Sequence, residues 1–216
     1  MSFAISSVHN TNSVLRNTFA LVGLSLIPTA IGAAFAMALG IPAIMMGAPL
    51  ISSLVFLAIM FGMLFLIHAN SHSFAGVMMM LAFTFLAGMW LSGILSIALA
   101  VTNGWQIITT ASLGTAAVVF GCSIYAMTTK RDFSSVGGFL LGSLLALIVI
   151  SLANIFFQMP VLSILISIAA VVIFSLFMVF DIKRVVNGGE MNYIVAATSI
   201  YLNIYNIFSS LLQLLL

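Results

Sequence analysis

Charge is what this sequence has least of. Three acids (Asp132, Asp181 and Glu190) and five cations stand among 216 residues, 4% charged in all, where soluble domains carry roughly a quarter. No hydrophilic interval is long enough to bury a core of its own, which excludes a separate aqueous domain. The cations are scattered between apolar runs and form no basic face, so nucleic acid is excluded as a partner, and the net charge of +2 reflects membrane topology. Cysteine is nearly absent too. Cys122 stands alone, so no internal disulfide can form, and it is expected to act as a small buried apolar residue. With so few acids there is no nucleophile-and-base constellation, and no glycine-rich phosphate loop accompanies them. The chain is therefore not expected to be an enzyme or to hold a cofactor.

Apolar residues fill the space: 64% of the chain is hydrophobic. They form seven segments, at about 17–39, 49–67, 74–101, 105–128, 136–157, 160–182 and 191–216, each near the roughly 20 residues that cross a bilayer as a helix. The first run is too long for the core of a signal peptide, about 7 to 15 residues, and is read as a retained span. The fold expected is an all-α integral membrane protein of seven transmembrane helices in one domain, 17–216. Residues 1–16, rich in Ser and Asn, are expected to be a flexible tail with no helix before about Arg16. Short punctuators separate the spans, among them Gly40-Ile41-Pro42, Asn103-Gly104 and the stretch from Lys183 to Glu190.

Seven spans put Arg16, Lys130, Arg131, Lys183 and Arg184 on one side, and the opposite loops carry no Lys or Arg. By the positive-inside rule the N-terminus is cytoplasmic and the C-terminus outside. Small residues recur at four-residue spacing as Gly32, Ala36 and Gly40, as Thr84, Gly88, Ser92 and Ser96, and as Gly138, Gly142 and Ala146. Such rows let helices approach closely in lipid, either inside one bundle or between two copies. Pro28 falls inside the first span, where it can bend the helix.

The last span is the most polar. On a helix Asn192, Ser199, Asn203, Asn206, Ser210 and Gln213 fall within a sector of roughly 80°. Unpaired amides are costly in hydrocarbon, so this stripe should face protein or a wet cavity, and the last helix is expected to be central with the others around it. Asp181, at the cytoplasmic edge of the sixth span, shares a face with Ser163 and Ser167. A carboxyl group there is partly desolvated, the condition under which an acid serves as a pH sensor. Its other reading is a helix-end acid paired with Lys183, Arg184 or Lys130. Asn203 is a hydrogen-bond partner for it from the last span, or interhelical glue; Asn154 is read as glue. Asp181, Asn203, Asn206 and Ser199 are thus the candidate pore or pH-sensing residues. No metal site is expected: His68 and His72 lack a third ligand, and Met78, Met79 and Met80 point in different directions.

Phe180-Asp181, the loop Asn187-Gly188-Gly189-Glu190-Met191-Asn192-Tyr193-Ile194 and the run Ile200 to Phe208 resemble the C-terminal signature of the Bax inhibitor-1 family. Val14 to Thr18, Cys122 to Asp132 and Ala153 to Phe156 are similar to a bacterial inner-membrane branch of that family, whose members modulate an FtsH-type protease. The resemblance implies a bundle with the last helix surrounded by six others. It also implies a pair of aspartates acting as a pH-sensitive latch over a calcium path. Asp181 matches the first aspartate and Asn203 stands at the second, so the carboxylate pair is not present. The function implied is therefore binding and restraint of an FtsH-type AAA protease in the lipid bilayer of a bacterial inner membrane. The alternative is a calcium or proton leak gated around Asp181.

Overall fold

The computed structural model describes residues 2–131, 133 and 136–216, with side chains from residue 12 onward. Among these residues there is no strand, and eight α-helices follow one another: α1 (Ser2–Ala38), α2 (Ile41–Gly47), α3 (Pro49–Ala69), α4 (Phe74–Ala100), α5 (Gly104–Thr128), α6 (Gly137–Phe157), α7 (Pro160–Val186) and α8 (Tyr193–Leu215). All but α2 are long and apolar enough to cross a membrane, giving seven spans close to those read from the sequence. The protein is an all-α integral membrane protein.

Two elements differ from expectation. The backbone of α1 is helical from Ser2, although no helix was expected before about Arg16. No Gly or Pro occurs before Gly23, so nothing interrupts a helix that the long apolar span has already nucleated, and each further residue adds a bond at little cost. The side chains of 1–11 lie outside the described residues. The second difference is α2, where only a turn was expected. Gly40 stops α1 in the left-handed conformation, φ 69°, and Pro42 then occupies the first turn of a new short helix, the place where a missing N–H does no harm.

The chain divides into two compact units, one of residues up to Gly93 with Arg184–Tyr201, the other Ile94–Lys183 with Leu202–Leu216. In the first unit α1 and α4 meet backbone to backbone. A Cβ on Gly32 would fall onto the Phe85 carbonyl, and one on Gly88 onto the Thr29 carbonyl. Of the small-residue rows, those of α1 and α4 therefore serve packing within the chain. The row of α6 does not: a Cβ at Gly138 or Gly142 meets nothing within 4 Å. Beside the α1–α4 crossing, the fully buried Tyr201 of α8 packs edge-on against Phe83, ring centroids 6.1 Å apart.

In the second unit Ala98, Ala111 and Leu212 form one buried cluster, and Ala170, Phe174 and Ile207 another, the latter flanked by Val118, Leu144 and Leu147. The turn from α6 to α7 is closed by Asn154, whose Nδ2 donates to Ser163 Oγ at 2.7 Å and whose Oδ1 accepts from Met159 N–H at 3.2 Å. Cys122, expected buried, is only half-buried on α5.

Candidate functional site

Asp181 lies in the last turns of α7, half-buried. An anion there faces the negative end of the helix dipole and needs donors from elsewhere. Asn203 of α8 supplies one: its amide, 4% exposed, donates from Nδ2 to Asp181 Oδ2 at 2.7 Å. The structure thus joins these two of the four candidate residues. Asn206 donates its amide to the Leu202 carbonyl one turn back, at 2.8 Å, and Ser199 belongs to the other unit. Ser163 and Ser167 share a face with Asp181 but not its site, since a rise of about 1.5 Å per residue sets Ser167 roughly 20 Å away along α7.

The cations near Asp181 in sequence have other partners. Lys183 donates to the Thr129 carbonyl at 2.5 Å, and Arg184 pairs with Glu190 at 3.4 Å. A carboxylate facing an amide also behaves differently from a carboxylate pair. When ionised it accepts from the amide N–H; when protonated it can donate to the amide oxygen after a flip. The contact can therefore be made in either protonation state, and the amide itself sets no like charge against the carboxylate.

Two polar clusters of the first unit lie outside the sequence-based candidates. The Tyr201 hydroxyl sits 2.7 Å from Thr29 Oγ1, and Thr29 donates onward to the Ser25 carbonyl at 2.9 Å. The Tyr201 hydroxyl also lies 3.5 Å from the Thr84 carbonyl, so either hydroxyl of the Thr29–Tyr201 pair can be the donor. Nothing in the local sequence marks this contact, because its halves are far apart in the chain. The second cluster is at the start of α8. Asn192, read from sequence as part of the polar stripe, is instead the helix cap: its Oδ1 accepts from Ile194 N–H at 2.9 Å, and its Nδ2 donates to the Ser71 carbonyl at 2.8 Å. The Asn-then-apolar pattern is the signal that identifies it. An open cavity of about 290 Å³ adjoins it, lined by Ser71 to Phe74 and Asn192 to Ile194. His72 lines this cavity beyond the end of α3, whereas His68 lies in the last turn of that helix.

A family model described as inhibitor of apoptosis-promoting Bax1 matches residues 11–216. The Escherichia coli K12 protein named modulator of FtsH protease YccA is 38% identical over 210 residues, 97% of this chain and 92% of that one. An E. coli O6:H1 protein named inner membrane protein YccA gives the same values. An uncharacterized membrane protein of Vibrio cholerae serotype O1 is 38% identical over 206 residues, 95% of this chain and 89% of its own. The motifs at Asp181, at the loop before α8 and within α8 are thus parts of one likeness that runs along nearly the whole chain, which belongs to the Bax inhibitor-1 family.

Proposed function

We propose that the protein is a non-enzymatic partner of an FtsH-type AAA protease in a bacterial inner membrane, binding it and restraining its action on other membrane proteins. The observation that carries this reading is the likeness, over almost the full length of both chains, to the E. coli modulator of FtsH protease. Physical considerations support it. Nearly all of the described residues are in apolar helices with short connections, so the surface on offer to a partner lies in and at the membrane. An ATP-driven protease also has to grip an end before it can extract a span. Residues 1–13, polar and uncharged, provide one, and closely packed helices then resist the pull, so the protein occupies the machine as a slow substrate.

The test is a pulse-chase of this protein and of a known membrane substrate, at low and raised expression, with and without residues 2–12. Raised expression is expected to slow decay of the other substrate, and the deletion to lengthen the lifetime of this protein. If neither decay curve responds to expression or to the deletion, the reading fails.

The contact between Asp181 and Asn203 favours a second reading, a pH-sensitive leak of calcium or protons gated around Asp181. Because Asn203 offers Asp181 an amide in place of a second carboxylate, little flux is expected from purified protein in liposomes. Robust calcium entry that Asp181→Asn abolishes would reverse the order of the two readings.

A further inference from the structure

Lys183 is a buried cation, 8% exposed, near the end of α7. Burying an ammonium is costly unless its protons are matched. Its Nζ donates to the carbonyl of Thr129, the residue that caps the C-terminus of α5 and itself bonds through its N–H to the Tyr125 carbonyl at 2.9 Å. A helix C-terminus offers unmatched carbonyls and the negative end of the dipole, so a cation suits it. Lys183 follows Asp181 by two residues, about 200° around the helix. One face of α7 therefore holds the end of α5 through Lys183, and the opposite face holds Asn203 of α8 through Asp181 at 2.7 Å. Phe180, just before Asp181, lies against the start of α6, with its ring 3.1 Å from where a Cβ on Gly137 would stand.

We propose that Lys183 is a positioning residue for the Asp181–Asn203 pair: it staples the end of α5 to α7 from behind and so holds Asp181 against Asn203. The inference rests on taking that pair as the polar centre of the second unit. It does not depend on which partner or ion the centre serves. Without the staple the last turns of α7 are free to move away from α8, and the carboxylate becomes open to water more often.

The chain has only three acids, so a water-soluble carbodiimide with glycinamide, applied to the full chain in lipid nanodiscs, reads Asp181 directly by peptide mass spectrometry. Glu190 serves as the internal reference and Asn203→Ala as the broken-pair limit. In Lys183→Met, labelling of Asp181 relative to Glu190 should rise about tenfold, the factor carried by one charge-assisted hydrogen bond. Lys183→Arg, which keeps the charge and the donors, should label near the wild-type rate. The proposal is overturned if folded Lys183→Met labels like wild type, or if Lys183→Arg labels as fast as Lys183→Met. Should Lys183→Met not fold, Lys183→Gln takes its place, and wild-type labelling in that variant overturns the proposal equally.

Discussion

Gly88→Ala adds one methyl group where α4 touches the backbone of α1. The new Cβ would fall on the Thr29 carbonyl oxygen, with the Thr29 carbonyl carbon and Cα also under 3 Å away. All three are backbone atoms, so no side chain can rotate out of the way. The helices have to separate by roughly 1 Å to restore ordinary van der Waals distance. Overpacking of this kind destabilises by about 1–3 kcal/mol. The residue displaced is the one whose hydroxyl receives the buried Tyr201, 2.7 Å away, so that contact is strained as well. At about 2–4 °C per kcal/mol for a chain of this size, the melting temperature in detergent should fall by roughly 2–12 °C. Gly142→Ala is the matched control: its Cβ meets nothing within 4 Å, and the helix propensity of alanine should leave the protein as stable or slightly more so. If Gly88→Ala melts with the wild type, or no lower than Gly142→Ala, the close crossing of α1 and α4 is wrong.

Tyr201→Phe removes the hydroxyl that meets Thr29 while Thr29 can keep its bond to Ser25, so thermal unfolding should report a loss of only about 0.5–1.5 kcal/mol; Tyr201→Ala, which empties a fully buried site, should lose about 3–5 kcal/mol. Asn203→Asp puts a second carboxylate 2.7 Å from the first. Two acids there share a proton at low pH and repel when both are ionised. The variant should therefore lose stability as pH rises from about 5 to 8. Melting curves across that range decide it. For topology, reporter fusions after residues 132 and 187 should read cytoplasm, and those after residue 103 and the C-terminus outside; a cytoplasmic C-terminus would contradict the charge-based orientation.

The spans were legible because bilayer thickness imposes a length that composition alone reveals. What sequence spacing missed was mostly direction. Lys183 is one of three cations close enough in the chain to pair with Asp181, yet two residues apart on a helix point to nearly opposite faces, and its ammonium donates to the Thr129 carbonyl. The helix period alone gives that direction. Tyr201 is a different case. A tyrosine in an apolar run has the pattern of any core residue, and partners on α1 and α4, far away in sequence, give its hydroxyl a role. The α2 helix was missed because Gly and Pro were read as punctuation between spans, although Gly before and Pro inside the first turn is also how a helix begins.

The family-like loop before α8 shows how a motif that marks kinship can be explained by backbone hydrogen bonds alone. After Val186 the chain must stop one helix and start another. Gly188 takes φ 73°, a conformation costly for residues with a Cβ. Its N–H then bonds to the Val185 carbonyl at 3.0 Å and that of Gly189 to the Arg184 carbonyl at 2.8 Å, the paired bonds that close a helix end. Glu190 folds back to Arg184 and accepts from Asn192 N–H at 2.9 Å, and Asn192 caps the next helix. Every polar residue from Gly188 to Asn192 is thus occupied in ending α7 or starting α8. What the loop fixes is where α7 ends and where α8 begins.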